Sequence, residues 1–156
     1  MTSVSLRAFD MASIPDGSCV LYLGWRGGGK RAFLRDLLDK KRDYAFGMAL
    51  TTNTYEYESM LPWGCIYDEF RPEIVSNFLK RQDTLIKKHR DGLAVDPRAF
   101  ILFDDCFVTN HWISDRYVRS LLMNGRCYRA LSIFMLNYLP PMTGVVRSCF
   151  DYVVIY

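Results

Sequence analysis

Lys30 follows three consecutive glycines, in the segment of this sequence most plainly built for chemistry. The run Gly24-Trp25-Arg26-Gly27-Gly28-Gly29-Lys30-Arg31 fits G-x-x-x-x-G-K, the spacing with which a loop wraps phosphate. Gly27, Gly28 and Gly29 can take the positive φ angles that aim successive backbone N–H groups into one concavity. Lys30 would bring a point charge to the β/γ-phosphates of a nucleotide. The next residue is normally a Ser or Thr that coordinates Mg²⁺, and here it is Arg31, which has no lone pair for a cation. Two outcomes are open. Arg31 points away while water, Thr51 or Thr52 completes the metal shell, or the site binds nucleotide weakly or without hydrolysing it.

The apolar run Ala99-Phe-Ile-Leu-Phe103 ends in Asp104-Asp105-Cys106. Adjacent carboxylates at the C-terminal end of a strand lie where an open α/β sheet collects its ligands. Asp104 is expected to hold Mg²⁺, and Asp105 to orient or deprotonate the attacking water. Taken alone the pair would read as a helix N-cap; the phosphate loop tips the choice to metal and water. A third polar residue, Asn137, ends the run Leu131-Ser-Ile-Phe-Met-Leu136. It is either a sensor of the γ-phosphate or a turn residue before Pro140-Pro141.

These stations need a scaffold, and the sequence supplies one. Cys19–Leu23, Tyr44–Leu50, Ala99–Phe103, Leu131–Leu136 and Tyr152–Tyr156 are short apolar runs of strand length. Between them, Lys30–Arg42, Pro72–Arg90 and Ser114–Met123 carry apolar residues at helical spacing, with Pro72 suited to a first turn and Ser114 to an N-cap. Strands apolar throughout and alternating with helices indicate a mainly parallel sheet of about five strands, covered on both faces. The expected fold class is α/β, a three-layer P-loop NTPase domain.

With these motifs in place, the chain resembles the genome-packaging ATPases of nucleocytoplasmic large DNA viruses, the poxvirus-type branch of the FtsK–HerA class of P-loop motors. The resemblance runs from about Pro15 to Tyr156. It rests on Val20–Lys30, Phe100-Ile-Leu-Phe-Asp-Asp-Cys106, Asn124-Gly-Arg126, Val146-Arg147 and Asp151-Tyr-Val-Val-Ile155. It implies an ATP- and Mg²⁺-using translocase that assembles as a homo-oligomer, a ring, and drives double-stranded DNA into a capsid. Lys30, Asp104 and Asp105 would match the family's lysine and acidic pair, and Arg126, or else Arg147, the arginine donated to a neighbour's nucleotide. Capsid proteins would be partners, at a host-cytoplasmic assembly site or in the virion. Relatives run on past the closing strand, so residues 1–156 are expected to form a single, C-terminally shortened motor core. The chain departs from the family at Arg31, at Cys127 (usually His) and at Asn137 (usually Gln). The alternative is therefore an impaired relative, a nucleotide-binding or structural subunit of the same assembly.

Composition narrows the remaining classes. The 156 residues include 20 basic and 17 acidic side chains, for a net charge of +3, which permits nucleic acid as a partner without arguing for it. Half the residues are hydrophobic, too many for a disordered chain. No apolar run reaches membrane-spanning length, and Met1–Ala8 lack the pattern of a signal peptide. Five scattered cysteines and two histidines disfavour a disulfide scaffold, a zinc ribbon or a His-rich metal site. Lys80, Arg81, Lys87, Lys88 and Arg90 could meet DNA phosphates, although a solvated helix face explains any one of them as well. Trp25, Trp63 and Trp112 suggest no role. A small-substrate kinase is a third reading, disfavoured because no arginine-rich lid appears between Leu50 and Trp63.

Overall fold

All five predicted strands form, and a sixth joins them. The computed structural model describes Ser5, residues 7–25 and residues 27–156. Arg26 of the glycine-rich loop and most of the opening Met1–Ala8 segment lie outside the described residues. In chain order the elements are β1 (Cys19–Leu23), α1 (Lys30–Asp39), β2 (Phe46–Thr51), β3 (Ile66–Tyr67), α2 (Pro72–Arg90), β4 (Ala99–Asp104), α3 (Arg116–Tyr128), β5 (Ala130–Leu136), α4 (Gly144–Arg147) and β6 (Tyr152–Ile155). The sheet order is β3-β2-β4-β5-β1-β6, with every neighbouring pair parallel. The added strand, β3, is too short for its pattern to show in the sequence.

The apolar strands serve two cores, because alternate residues face opposite sides of the sheet. On one face Leu34 and Leu37 of α1 pack against Val20, Tyr22, Ala49, Leu102 and Ile133. On the other, Val75 and Phe78 of α2 with Val118 and Leu121 of α3 pack against Leu21, Leu50, Ile101 and Phe134. The result is an α/β protein in three layers, with helices on both faces. No helix among the described residues is long and apolar enough to cross a membrane.

One local expectation is corrected, and one alternative is set aside. The N-cap of α3 is Asp115, whose carboxylate accepts from the N–H groups of Tyr117 and Val118; Ser114 instead ends the preceding 3-10 turn, where its hydroxyl donates to the His111 carbonyl. Asp104 and Asp105 cap no helix, for the turn after them, Asn110–Ser114, is capped by Thr109. Asp104 is the last residue of β4, and Asp105 turns off it with φ 47°, a conformation Asp tolerates better than most residues.

β5 lies between the strand that feeds the glycine loop and the strand that ends in the acidic pair. Leu23 pairs with Leu136 and Asp104 with Met135. Gly24 N–H then donates to the Leu136 carbonyl at 3.1 Å and Asp105 N–H to that of Met135 at 3.2 Å. The loop, Asn137 and Asp105 thereby leave one sheet edge side by side.

The opposite edge is tied by Gly17, where φ is 79° and a Cβ would stand 2.6 Å from the Arg126 Cα. Gly125 approaches in return, its Cβ position 3.0 Å from the Gly17 carbonyl oxygen. Gly17→Ala combines a left-handed φ with a backbone clash, so it is expected to cost about 1–3 kcal/mol. Urea unfolding monitored by circular dichroism would measure the loss.

Candidate functional site

The glycine loop builds its concavity with two left-handed glycines. Gly27 (φ 86°) and Gly29 (φ 77°) adopt positive φ, while Gly28 does not, contrary to expectation. Gly28 closes a tight turn instead, its N–H donating to the Trp25 carbonyl at 3.0 Å. The Tyr22 hydroxyl donates to the Gly28 carbonyl from beneath, which fixes the loop to β1. Gly24 leaves the strand so close to Tyr22 that a Cβ would stand 2.7 Å from its ring. Gly29 is the N-cap of α1, and Lys30 is its first residue. The free N–H groups at that helix start face a cleft of about 1020 Å³, lined among others by Lys30, Arg31, Thr51, Glu56, Asp104, Asp105 and Asn137.

Three residues predicted separately meet here. Lys30 Nζ donates to Asp105 Oδ2 at 2.8 Å and to Asn137 Oδ1 at 2.5 Å. Asn137 Nδ2 donates to the same Asp105 oxygen at 2.7 Å. The amide of Asn137 thus reaches both partners despite being one methylene shorter than Gln, and its place is a strand end at the site. In this triangle Asp105 holds the ammonium that a γ-phosphate would otherwise engage. Arriving phosphate would compete for Lys30 and release the Asp105 carboxylate beside it, still hydrogen-bonded to Asn137.

Asp104 sits deeper and meets a residue that no sequence pattern marked. The Tyr57 hydroxyl donates to Asp104 Oδ2 at 2.6 Å. Burial pushes the Asp104 carboxyl above its usual range, with a further push from Asp105, against the opposing pull of the Tyr57 hydrogen bond, Lys30 and Arg31. Burial and the Asp104 charge likewise hold the Tyr57 hydroxyl firmly protonated. Burial also raises the neighbouring Cys106 thiol, which makes it a core residue and not a nucleophile.

The residues present offer a magnesium ion less than a phosphate loop ordinarily does. Asp104 has one oxygen engaged by Tyr57, Asp105 has one engaged by Lys30 and Asn137, and the first turn of α1 offers Arg31 instead of a hydroxyl. Thr51 is buried next to Asp104 in the sheet register, but its hydroxyl accepts from Asn53 N–H at 3.1 Å; Thr52 is exposed. No cluster of three or more acidic, histidine or cysteine ligands occurs among the described residues.

Arg31 crosses to Glu56, engaging both carboxylate oxygens through Nε and Nη2. Asn53 Nδ2 also donates to Glu56. Glu56, Asn53 and Tyr57 come from the 3-10 turn after β2, a polar stretch without periodicity; the one sequence signal was its location behind a strand end.

Arg126 and Arg147 stand apart from the triangle. Arg126 Nη2 donates to Asp151 Oδ1 at 2.6 Å, and Asp151 Oδ2 accepts from Cys19 N–H at 2.9 Å. That is the start of β1, the sheet edge opposite the loop. Arg147 is exposed at the end of α4. Of the basic residues on α2, Lys80, Lys87, Lys88 and Arg90 are exposed. Arg81 is not a free cation, since it stacks 3.9 Å from the Phe46 ring centroid and donates to Gln82 Oε1. Trp112 is core, stacked on Phe107 with centroids 4.3 Å apart, whereas Trp25 and Trp63 are exposed.

Comparison with known proteins points to large DNA viruses. No protein-family model matches the chain. An uncharacterized protein of Acanthamoeba polyphaga mimivirus is 27% identical over 157 residues, covering 95% of this chain and 55% of its own length. One from Invertebrate iridescent virus 6 is 31% identical over 145 residues, covering 90% and 54%. One from Frog virus 3 is 27% identical over 139 residues, covering 86% and 42%. The chain therefore spans about half the length of the curated relatives it matches. Among solved structures, C. elegans PCH-2 aligns with a TM-score of 0.49 at 16% identity, covering 89% of this chain and 35% of that one. Rhizobiales Trip13 aligns with the same score and identity, covering 90% and 45%. Likeness at this level adds nothing to the fold already described.

The raised Asp104 carboxyl carries a sign that can be checked. The native state binds this proton more tightly than the unfolded chain, so ionising the group costs stability as pH rises through the carboxylate range. Asp104→Asn, which keeps an acceptor for Tyr57, is expected to melt higher than the native protein at pH 7. The gap should close as pH falls below the ordinary carboxylate value. An equal or lower midpoint at pH 7 in thermal melts would contradict the assignment.

Proposed function

We propose that this chain is the nucleotide-hydrolysing core of a DNA-translocating ATPase of the viral genome-packaging kind. The observation that carries it is the Lys30–Asp105–Asn137 triangle, set at the ends of three neighbouring parallel strands beside a glycine loop and a helix start. Backbone N–H groups of the loop and the start of α1 would bind the phosphates. Lys30 would take the γ-phosphate, freeing Asp105 to accept a proton from the attacking water while Asn137 orients both. General bases of this kind typically contribute about 10²–10⁴-fold to rate.

The wider reading draws on the viral origin of the relatives and on the resemblance at the Asn124-Gly125-Arg126 motif. In this reading ATP hydrolysis drives duplex DNA, gripped through its phosphates by exposed cations such as Lys87, Lys88 and Arg90, into a capsid. Copies of the chain form a ring, in which Arg126, or else Arg147, completes the nucleotide site of a neighbour. Assembly takes place in the host cytoplasm or in the virion. A second reading, a subunit that binds nucleotide without turning it over, is favoured by the engagement of Arg31 with Glu56.

An ATPase assay with Mg²⁺, with and without duplex DNA, separates the two. Hydrolysis stimulated by DNA is expected. Lys30→Ala should lose nucleotide binding, and Asp105→Asn should lose at least about 100-fold in turnover while still binding ATP. Retained ATP binding with no turnover by the assembled native protein would favour the second reading.

A further inference from the structure

Arg31 occupies the second position of α1, where a phosphate loop ordinarily places its metal-binding hydroxyl. Three observations make it more than a lost ligand. Its guanidinium lies in the cleft, with Glu56 as its acceptor. Glu56 is mostly buried, its side chain 19% exposed, whereas that of Arg31 is 70% exposed. The carboxylate is thus the fixed member of the pair, further held by Asn53, and the guanidinium is the member free to move. Finally, Arg31 is close enough to Asp104 and Tyr57 for its charge to act on both. It therefore puts permanent positive charge where a metal-binding hydroxyl would otherwise stand.

A guanidinium presents a rigid fork of donors that matches two phosphate oxygens at once. A triphosphate carries several negative charges against the single charge of Glu56, so it can outcompete that carboxylate for Arg31. We propose, resting on the nucleotide-binding reading, that Arg31 stands in for the metal ion: the incoming triphosphate displaces Glu56 from the guanidinium, and binding needs no divalent cation. Glu56 is the placeholder that holds Arg31 across the cleft until the triphosphate arrives.

The test is calorimetric binding of ATP in EDTA and in Mg²⁺, for the native protein, Arg31→Ser, Glu56→Gln and Lys30→Ala. The native affinity is expected to differ by less than about threefold between the two conditions, whereas Arg31→Ser should lose at least about tenfold in EDTA and recover with Mg²⁺. Glu56→Gln frees the guanidinium and should bind ATP more tightly than the native protein in EDTA. That arm stands by itself should Arg31→Ser fail to fold. Loss of native binding on metal removal as steep as that of Arg31→Ser would overturn the inference, as would a Glu56→Gln affinity equal to or below the native one. ATP binding by the native protein that survives Lys30→Ala would mean that the nucleotide sits elsewhere, and would overturn it too. Failure of the native protein to bind ATP in either condition would instead overturn the nucleotide reading, and the inference with it.

Discussion

One constraint organises the molecule: a lysine and an aspartate of opposite charge are held together at the end of a parallel sheet with an amide between them. Lys30 comes from the start of α1, Asp105 from beyond β4 and Asn137 from beyond β5. They meet because β5 is inserted between β1 and β4, so that the register fixes all three strand ends at one edge. Nothing local to any of these residues would bring them within hydrogen-bond reach. The two cores, one under α1 and the other under α2 and α3, keep the sheet rigid enough to hold that geometry.

The same edge concentrates charge that the rest of the chain must tolerate. Asp104 is half-buried beside Asp105, and its carboxyl is raised accordingly. Tyr57 offsets part of that cost with a hydrogen bond, and Lys30 and Arg31 contribute positive charge. Removing Arg31 would thus alter the electrostatics of Asp104 as well as any contact with phosphate. Clusters of this kind cost stability and are concentrated at functional sites.

Much of this was legible in the sequence, and the misses have definite causes. The helix Pro72–Arg90 was visible to the residue because proline starts it and the apolar stripe repeats through it. The loop and the acidic strand were visible because their residue types are dictated by backbone geometry. Glu56, Asn53 and Tyr57 were not, since their partners Arg31 and Asp104 are distant in sequence and only the fold joins them. Arg81 looked like a solvated cation until β2 placed the Phe46 ring beneath it. The Asn124-Gly125-Arg126 motif also gained a structural meaning. Gly125 admits the close approach of Gly17, and Arg126 pairs with the aspartate that holds the first N–H of β1.

The central claim is that Asp105 guards Lys30 until phosphate arrives. A crystal structure of the protein with a non-hydrolysable ATP analogue tests it directly. The account predicts phosphate oxygens on Lys30 Nζ and the loop N–H groups, with Asp105 parted from the lysine and turned to the γ-phosphate alongside Asn137. An analogue bound elsewhere, or bound at the loop with the Lys30–Asp105 pair intact, would contradict it.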